Sequence, residues 1–76
     1  EYYIIIGCFN DIKNATSYRK KFRKKERTIS VFYNSSAQCH FVSIGPYQDK
    51  QKSLVDLPSI QKNIDEAAWI YTKIVK

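Results

Sequence analysis

Cys39 and His40 are the adjacent residues with the clearest capacity for chemistry, since a thiolate beside an imidazole can act as a nucleophile with its base. They fall in the β-rich run Gln38 to Ile44, where neighbours point to opposite faces, so no catalytic dyad is expected. Two Cys and a single His also fall short of the four ligands of a structural zinc site. The sequence has no glycine-rich phosphate loop, and no Ser, His and Asp or pair of carboxylates that a small fold would be expected to bring together. The expectation is a protein that is not an enzyme and uses no metal or cofactor. Recognition chemistry remains: six Tyr, four Phe and one Trp can stack on ligands, and thirteen Lys and Arg against seven Asp and Glu leave a charge of +6 that favours anionic partners.

The positive charge is concentrated. Eight basic residues and one acid lie between Lys13 and Arg27, a density that suits a phosphate-rich surface. Arg19, Lys20, Arg23 and Lys24 are the candidate anion-contacting residues, with a simply solvated helix face as the other reading.

The elements that must position these groups follow from length and pattern. Seventy-six residues make one domain, 1–76, and 43% hydrophobic with 26% charged residues excludes disorder and low complexity. Ten Ile against two Leu and no Met, with the many aromatics, predict a sheet. No apolar run is longer than Tyr2 to Ile6, far below the ~20 residues of a membrane helix. Opening at Glu1 without Met, the chain reads as a piece excised from a longer protein.

Tyr2 to Ile6, closed by Gly7, predicts a first strand. Asn10 and Asp11 can cap a helix over about 11–26, on which Ala15, Tyr18 and Phe22 form one apolar stripe. Thr28 to Tyr33 and Gln38 to Ile44, separated by the polar turn Asn34 to Ala37, predict a hairpin halted at Gly45-Pro46. Asp49 can cap a second helix, and Pro58 is expected to break it into one piece ending near Asp56 and another starting near Pro58. Ala68 to Val75 predicts the closing strand.

The order βαββαβ implies an α+β, ferredoxin-like or ribonucleoprotein-like fold: a four-stranded antiparallel sheet, order 4-1-3-2, with both helices on one face. Residues two apart share a face. If Ile4, Ile6, Val42, Ile44, Ile70 and Thr72 look at the helices, then Tyr3, Ile5, Phe41, Ser43, Trp69 and Tyr71 line a bare face. Such aromatic area predicts a solvent-facing binding platform, on which truncating Tyr3 or Phe41 should spare the fold. The same topology sets the end of the first strand, with Cys8, beside the start of the third, with Cys39. A disulfide there needs Cα atoms within roughly 7 Å and an oxidising compartment, and topology alone leaves it open.

Two main stretches and a shorter third carry a family resemblance. Tyr2-Tyr3-Ile4-Ile5-Ile6-Gly7-Cys8-Phe9, followed by a helix with Ala15, is similar to the aromatic-apolar strand ending in Gly-Ser-Phe of the SPOR (sporulation-related repeat) family. His40-Phe41-Val42-Ser43-Ile44-Gly45-Pro46-Tyr47 resembles the family's strand ending in Gly-Pro-Phe or Gly-Pro-Tyr, and Ala67-Ala68-Trp69-Ile70 its last strand. The resemblance implies a ribonucleoprotein-like fold without catalysis. It also implies a module of a longer bacterial envelope protein, periplasmic or extracytoplasmic, that binds peptidoglycan glycan strands lacking stem peptides, often at division sites.

By that resemblance the contacts fall on the open face and include the residue two before the first Gly and the one after it. They would be carried here by Tyr3, Ile5, Cys8, Cys39, Phe41, Ser43, Trp69 and Tyr71. A Cys8–Cys39 bridge would occupy two of these positions. Asn14-Ala15-Thr16 and Asn34-Ser35-Ser36 match the glycosylation pattern, but a bacterial origin gives them no role. The module is expected to be monomeric. Two other classes stay open: a protein-interaction or structural module without the glycan site, and a single-stranded nucleic-acid binder. The second is disfavoured because the aromatic signature of RNA-binding third strands is absent from Gln38 to Ile44.

Overall fold

The computed structural model describes residues 1–22 and 28–73. The chain runs β1 (Tyr2–Phe9), α1 (Ile12–Phe22), β2 (Ile29–Asn34), β3 (Cys39–Tyr47), α2 (Lys50–Asn63) and β4 (Trp69–Thr72). The strands form one four-stranded antiparallel sheet in the order β2-β3-β1-β4, the expected 4-1-3-2 arrangement. Ala15 of α1 and Ile60 of α2 share one buried cluster with Ile4, Ile6, Val42 and Ile44, so both helices cover the same face.

Local chemistry sets the element ends. The Asp11 carboxylate accepts from the Lys13 N–H at 2.8 Å, and the Asp49 carboxylate accepts from the Gln51 N–H at 2.9 Å, each satisfying a donor left free at a helix start. In the hairpin turn the Asn34 side-chain oxygen accepts from the Ala37 N–H at 2.8 Å, and Gln38 takes φ 55°. That turn holds Asn34 opposite Cys39 and Phe32 opposite Phe41.

Four expectations about element limits need correction. Pro58 lies inside a continuous α2 instead of splitting it. Its ring removes one backbone donor, but Ser53 before it and Ile60 after it are both buried, so packing on either side holds the helix through the defect. The third strand does not halt at Gly45-Pro46 but continues to Tyr47, which pairs with Tyr2. The first strand likewise continues through Gly7 to Phe9. The closing strand is the shorter Trp69–Thr72, and Thr72 at its end keeps Ile70's parity but is exposed. Residues 23–26 of the expected first helix, and 74 and 75 of the expected last strand, lie outside the described residues.

Two register shifts between β1 and β3 explain how these strands run on. Two residues of β3, Gly45 and Pro46, lie between the partners of Tyr2 and Ile4, where β1 has only Tyr3, so β3 carries one extra residue there. Gly45 has φ 147°, a region natural only to glycine, and a Cβ there would stand 3.1 Å from both the Tyr2 carbonyl oxygen and Tyr3 Cδ1. The second shift puts an extra residue in β1 between Ile5 and Gly7. Gly45→Ala is therefore expected to destabilise the domain by roughly 1–3 kcal/mol. Urea unfolding measures this, and an unchanged midpoint would mean that the bulge relaxes freely.

Candidate functional site

The face without helices is built from alternate residues of all four strands. Parity holds as read: Ile4, Ile6, Val42, Ile44 and Ile70 belong to the helix-side cluster, whereas Tyr3, Ile5, Phe41 and Tyr71 belong to a second cluster. Cys8 would break parity in a regular strand, because it is an even neighbour of Ile4 and Ile6. The extra residue between Ile5 and Gly7 shifts the alternation, so Gly7 opposes Val42 and Cys8 opposes Phe41. Cys8 then shares a face with Cys39, and the two are joined in a disulfide with Cα atoms 5.8 Å apart. The bond closes a loop spanning 31 residues, which in so small a domain contributes about 2–4 kcal/mol.

This face is not the open platform that parity alone suggested. Tyr3, Ile5, Cys39, Phe41 and Ser43 are all buried, with Phe41 only 4% exposed. Phe32, which sequence reading left out, is the missing piece. Its ring centroid lies 5.3 Å from that of Tyr3, 5.7 Å from Phe41 and 6.1 Å from Tyr71. Phe41 in turn contacts Trp69 and Tyr71, nearly edge-on at 89° and 72°. These geometries suit the ring quadrupoles and make a self-packed layer rather than a row of bare rings. The signal for Phe32 was present in the turn length, which fixes it opposite Phe41.

What remains accessible lies at the rim of the layer. Trp69 is 45% exposed on the edge strand β4, and Tyr71 beside it is half-buried. The Asn34 side-chain amide donates to the Tyr71 hydroxyl oxygen at 3.1 Å, which leaves the Tyr71 O–H free to donate elsewhere. The Lys73 ammonium stands 5.4 Å from the Phe32 ring centroid, and Ser30 and Ser43 hydroxyls meet at 3.3 Å. Asn34, Lys73 and Ser30 were also missed by sequence reading. A half-exposed indole, a phenol, an amide and an ammonium side by side can hold a ligand with apolar faces and polar edges.

The other candidate residues lie elsewhere. Arg19 Nε donates to the Ile29 carbonyl at 2.8 Å, fastening α1 to β2, while Lys20 is exposed. Arg23 and Lys24 lie outside the described residues. His40 projects away from Cys39 and packs edge-on against Tyr33, with centroids 5.0 Å apart. A cleft of about 310 Å³ beside α2 is lined by Tyr47, Asp49, Gln51, Lys52, Val55 and Asp56. Both its carboxylates are engaged, Asp49 in capping α2 and Asp56 in accepting from the Tyr47 O–H at 2.8 Å. Among the described residues no three His, Cys, Asp or Glu side chains converge, and no helix is long and apolar enough to cross a membrane.

A four-stranded antiparallel sheet with both helices on one face and a self-packed aromatic layer on the other defines a ribonucleoprotein-like fold. The family model described as SPOR domain matches residues 1–72, and the chain belongs to the SPOR family. SPOR domains are peptidoglycan-binding modules found in bacterial envelope proteins. No curated protein and no solved structure matches the chain.

Burial ranks the site residues in a checkable way. Phe41→Ala should cost about 3–5 kcal/mol, as for a core aromatic, whereas Trp69→Ala should cost about 1 kcal/mol or less. The reverse order in denaturant melts would mean that Trp69, not Phe41, anchors the layer.

The layer also titrates. Burial first, then the 2.8 Å hydrogen bond to the Glu1 carboxylate and its charge, raise the Tyr3 hydroxyl above its ordinary 10.0. The folded state holds this proton more tightly than the unfolded chain, so its stabilisation is complete below pH 10.0 and is lost as pH rises through the raised value. Thermal melts should show a shallower alkaline loss in Tyr3→Phe than in the parent, and identical slopes would exclude Tyr3 as the source.

Proposed function

We propose that this SPOR domain binds the glycan strands of peptidoglycan through the rim of its aromatic layer, preferring strands stripped of stem peptides. The observation that carries the reading is the half-exposed Trp69 beside the Tyr71 hydroxyl and the Asn34 amide on the helix-free face. Sugar rings have apolar C–H faces bounded by hydroxyls, so an exposed indole supports stacking and the Tyr71 O–H supports hydrogen bonding to a sugar oxygen. Stem peptides would crowd a contact made close to the sheet, which is the physical reason for preferring bare strands.

In this reading Trp69 and Tyr71 touch ligand directly. Tyr3, Ile5, Phe41, Ser43 and the Cys8–Cys39 bridge hold the surface beneath them. Such a module, carried extracytoplasmically by a longer envelope protein, serves to place that protein where bare glycan accumulates, as at division sites. Charge favours this reading over single-stranded nucleic acid. The described strand residues on the aromatic face include no Lys or Arg, and Lys73 just after β4 is the cation placed against it. A phosphate backbone crossing the face would find little to neutralise it.

Co-sedimentation with intact and amidase-treated peptidoglycan tests the proposal. Binding should rise after stem-peptide removal, fall about tenfold in Trp69→Ala, equivalent to about 1.4 kcal/mol, and fall less in Tyr71→Phe. Failure to sediment with either preparation, or full binding by Trp69→Ala, would eliminate it.

A further inference from the structure

Helix α1 presents a second surface that glycan binding does not use. Ala15 and Phe22 lie on its sheet side, in or against the helix-side core. Lys13, Ser17 and Lys20 recur at spacings of four and three on the opposite side, with Lys21 at the margin, and all four are exposed. At 1.5 Å per residue, Lys13 and Lys20 stand about 10 Å apart along the axis. The sequence has no Asp or Glu from Ile12 to Lys25, so no carboxylate within the helix offsets these charges. Both helices have a capping Asp, Asp11 and Asp49, but within α2 Lys50, Lys52 and Lys62 also share the helix with Asp56. Arg19 is withdrawn from the stripe by its bond to Ile29.

We propose that this stripe docks a linear phosphodiester polymer of the cell wall, on the side of the domain opposite the aromatic layer. Charge complementarity selects a polyanion, because a cationic stripe of this length gains counterion-release free energy from successive phosphates. The stripe carries no exposed aromatic ring: Tyr18 and Phe22 pack inward, and the exposed Trp69 belongs to the other face. Base stacking is therefore absent, which disfavours nucleic acid. Ile12, 48% exposed at the start of the helix, is the one large apolar side chain on its described outer surface, which gives a bilayer little to insert. The choice of a wall polymer rests on the envelope setting of SPOR domains and not on the glycan contact, so either can fail without the other. Together the two surfaces would tie a glycan strand and a polyanion to opposite sides of one sheet.

The test measures binding of the domain to poly(glycerol phosphate) over a salt series from about 50 mM upward. The parent should bind with an affinity that falls steeply with salt. Lys13→Gln/Lys20→Gln/Lys21→Gln should lose at least about tenfold in affinity and flatten the log–log salt slope by about two, at roughly 0.7 per phosphate contact. Lys13→Glu/Lys20→Glu, which leaves the Lys21 contact with the Phe22 ring intact, should lose at least as much while keeping the parent's circular dichroism melt. Lys50→Gln/Lys52→Gln/Lys62→Gln removes the same net charge from α2 and should change affinity less than about twofold, and peptidoglycan sedimentation should be unaffected by all three. Absence of binding at the lowest salt, or equal losses in the α1 and α2 triple variants, overturns the proposal. So does tighter binding, per phosphate, to phosphatidylglycerol vesicles or to poly(U).

Discussion

Strand β1 must be buried on both of its faces. Tyr3, Ile4, Ile5 and Ile6 are all buried, yet strand geometry sends them alternately to opposite sides of the sheet. Two helices cover one side. On the other side no helix is available, and the apolar surface of Tyr3 and Ile5 would face water unless the sheet shielded itself. Phe32, Phe41 and Tyr71, with the Cys8–Cys39 bridge at one end, form that shield. A fully buried side chain of this size contributes ~1.5–3 kcal/mol, so the layer is a second core and not a decoration of the first.

This constraint limits where a ligand can be met. An aromatic ring that packs edge-on against its neighbours to exclude water from Ile5 has little face left to offer a sugar. In the proposed reading recognition is thereby displaced to the rim at the short edge strand β4, where Trp69 packs against Phe41 and Tyr71 and stays 45% exposed. Stability and exposure are adjacent but separable, because the buried rings hold the surface on which the exposed Trp69 stands. Cys8 is exposed while Cys39 is buried, so the bridge links the rim of the layer to its interior.

The sheet also separates two kinds of chemistry. Its aromatic face is nearly free of described cations, whereas the outward side of α1 carries exposed lysines without intervening acids. At physiological ionic strength charge acts over only ~8 Å, so the lysines of α1 have little influence on the aromatic face across the sheet.

Element order, strand parity and the helix-side core were legible from the sequence because each depends on local periodicity: two residues per repeat in Tyr3 to Ile6, three and four in Ala15, Tyr18 and Phe22. The family was legible for a related reason, since its motifs lie where strands end in glycine. Three features were decided only by the tertiary structure. The strands continued past Gly7 and Gly45-Pro46 because bulges absorb one residue each, and whether a glycine ends a strand or kinks it depends on the partner strand. Helix α2 survived Pro58 because burial of Ser53 and Ile60 outweighs one missing backbone hydrogen bond, a balance invisible to helix propensity. The bare face became a buried layer because Phe32, Phe41, Trp69 and Tyr71 come from three strands, and their mutual shielding exists only once those strands are side by side. Parity determined which way each side chain points, but exposure depends on what stands next to it.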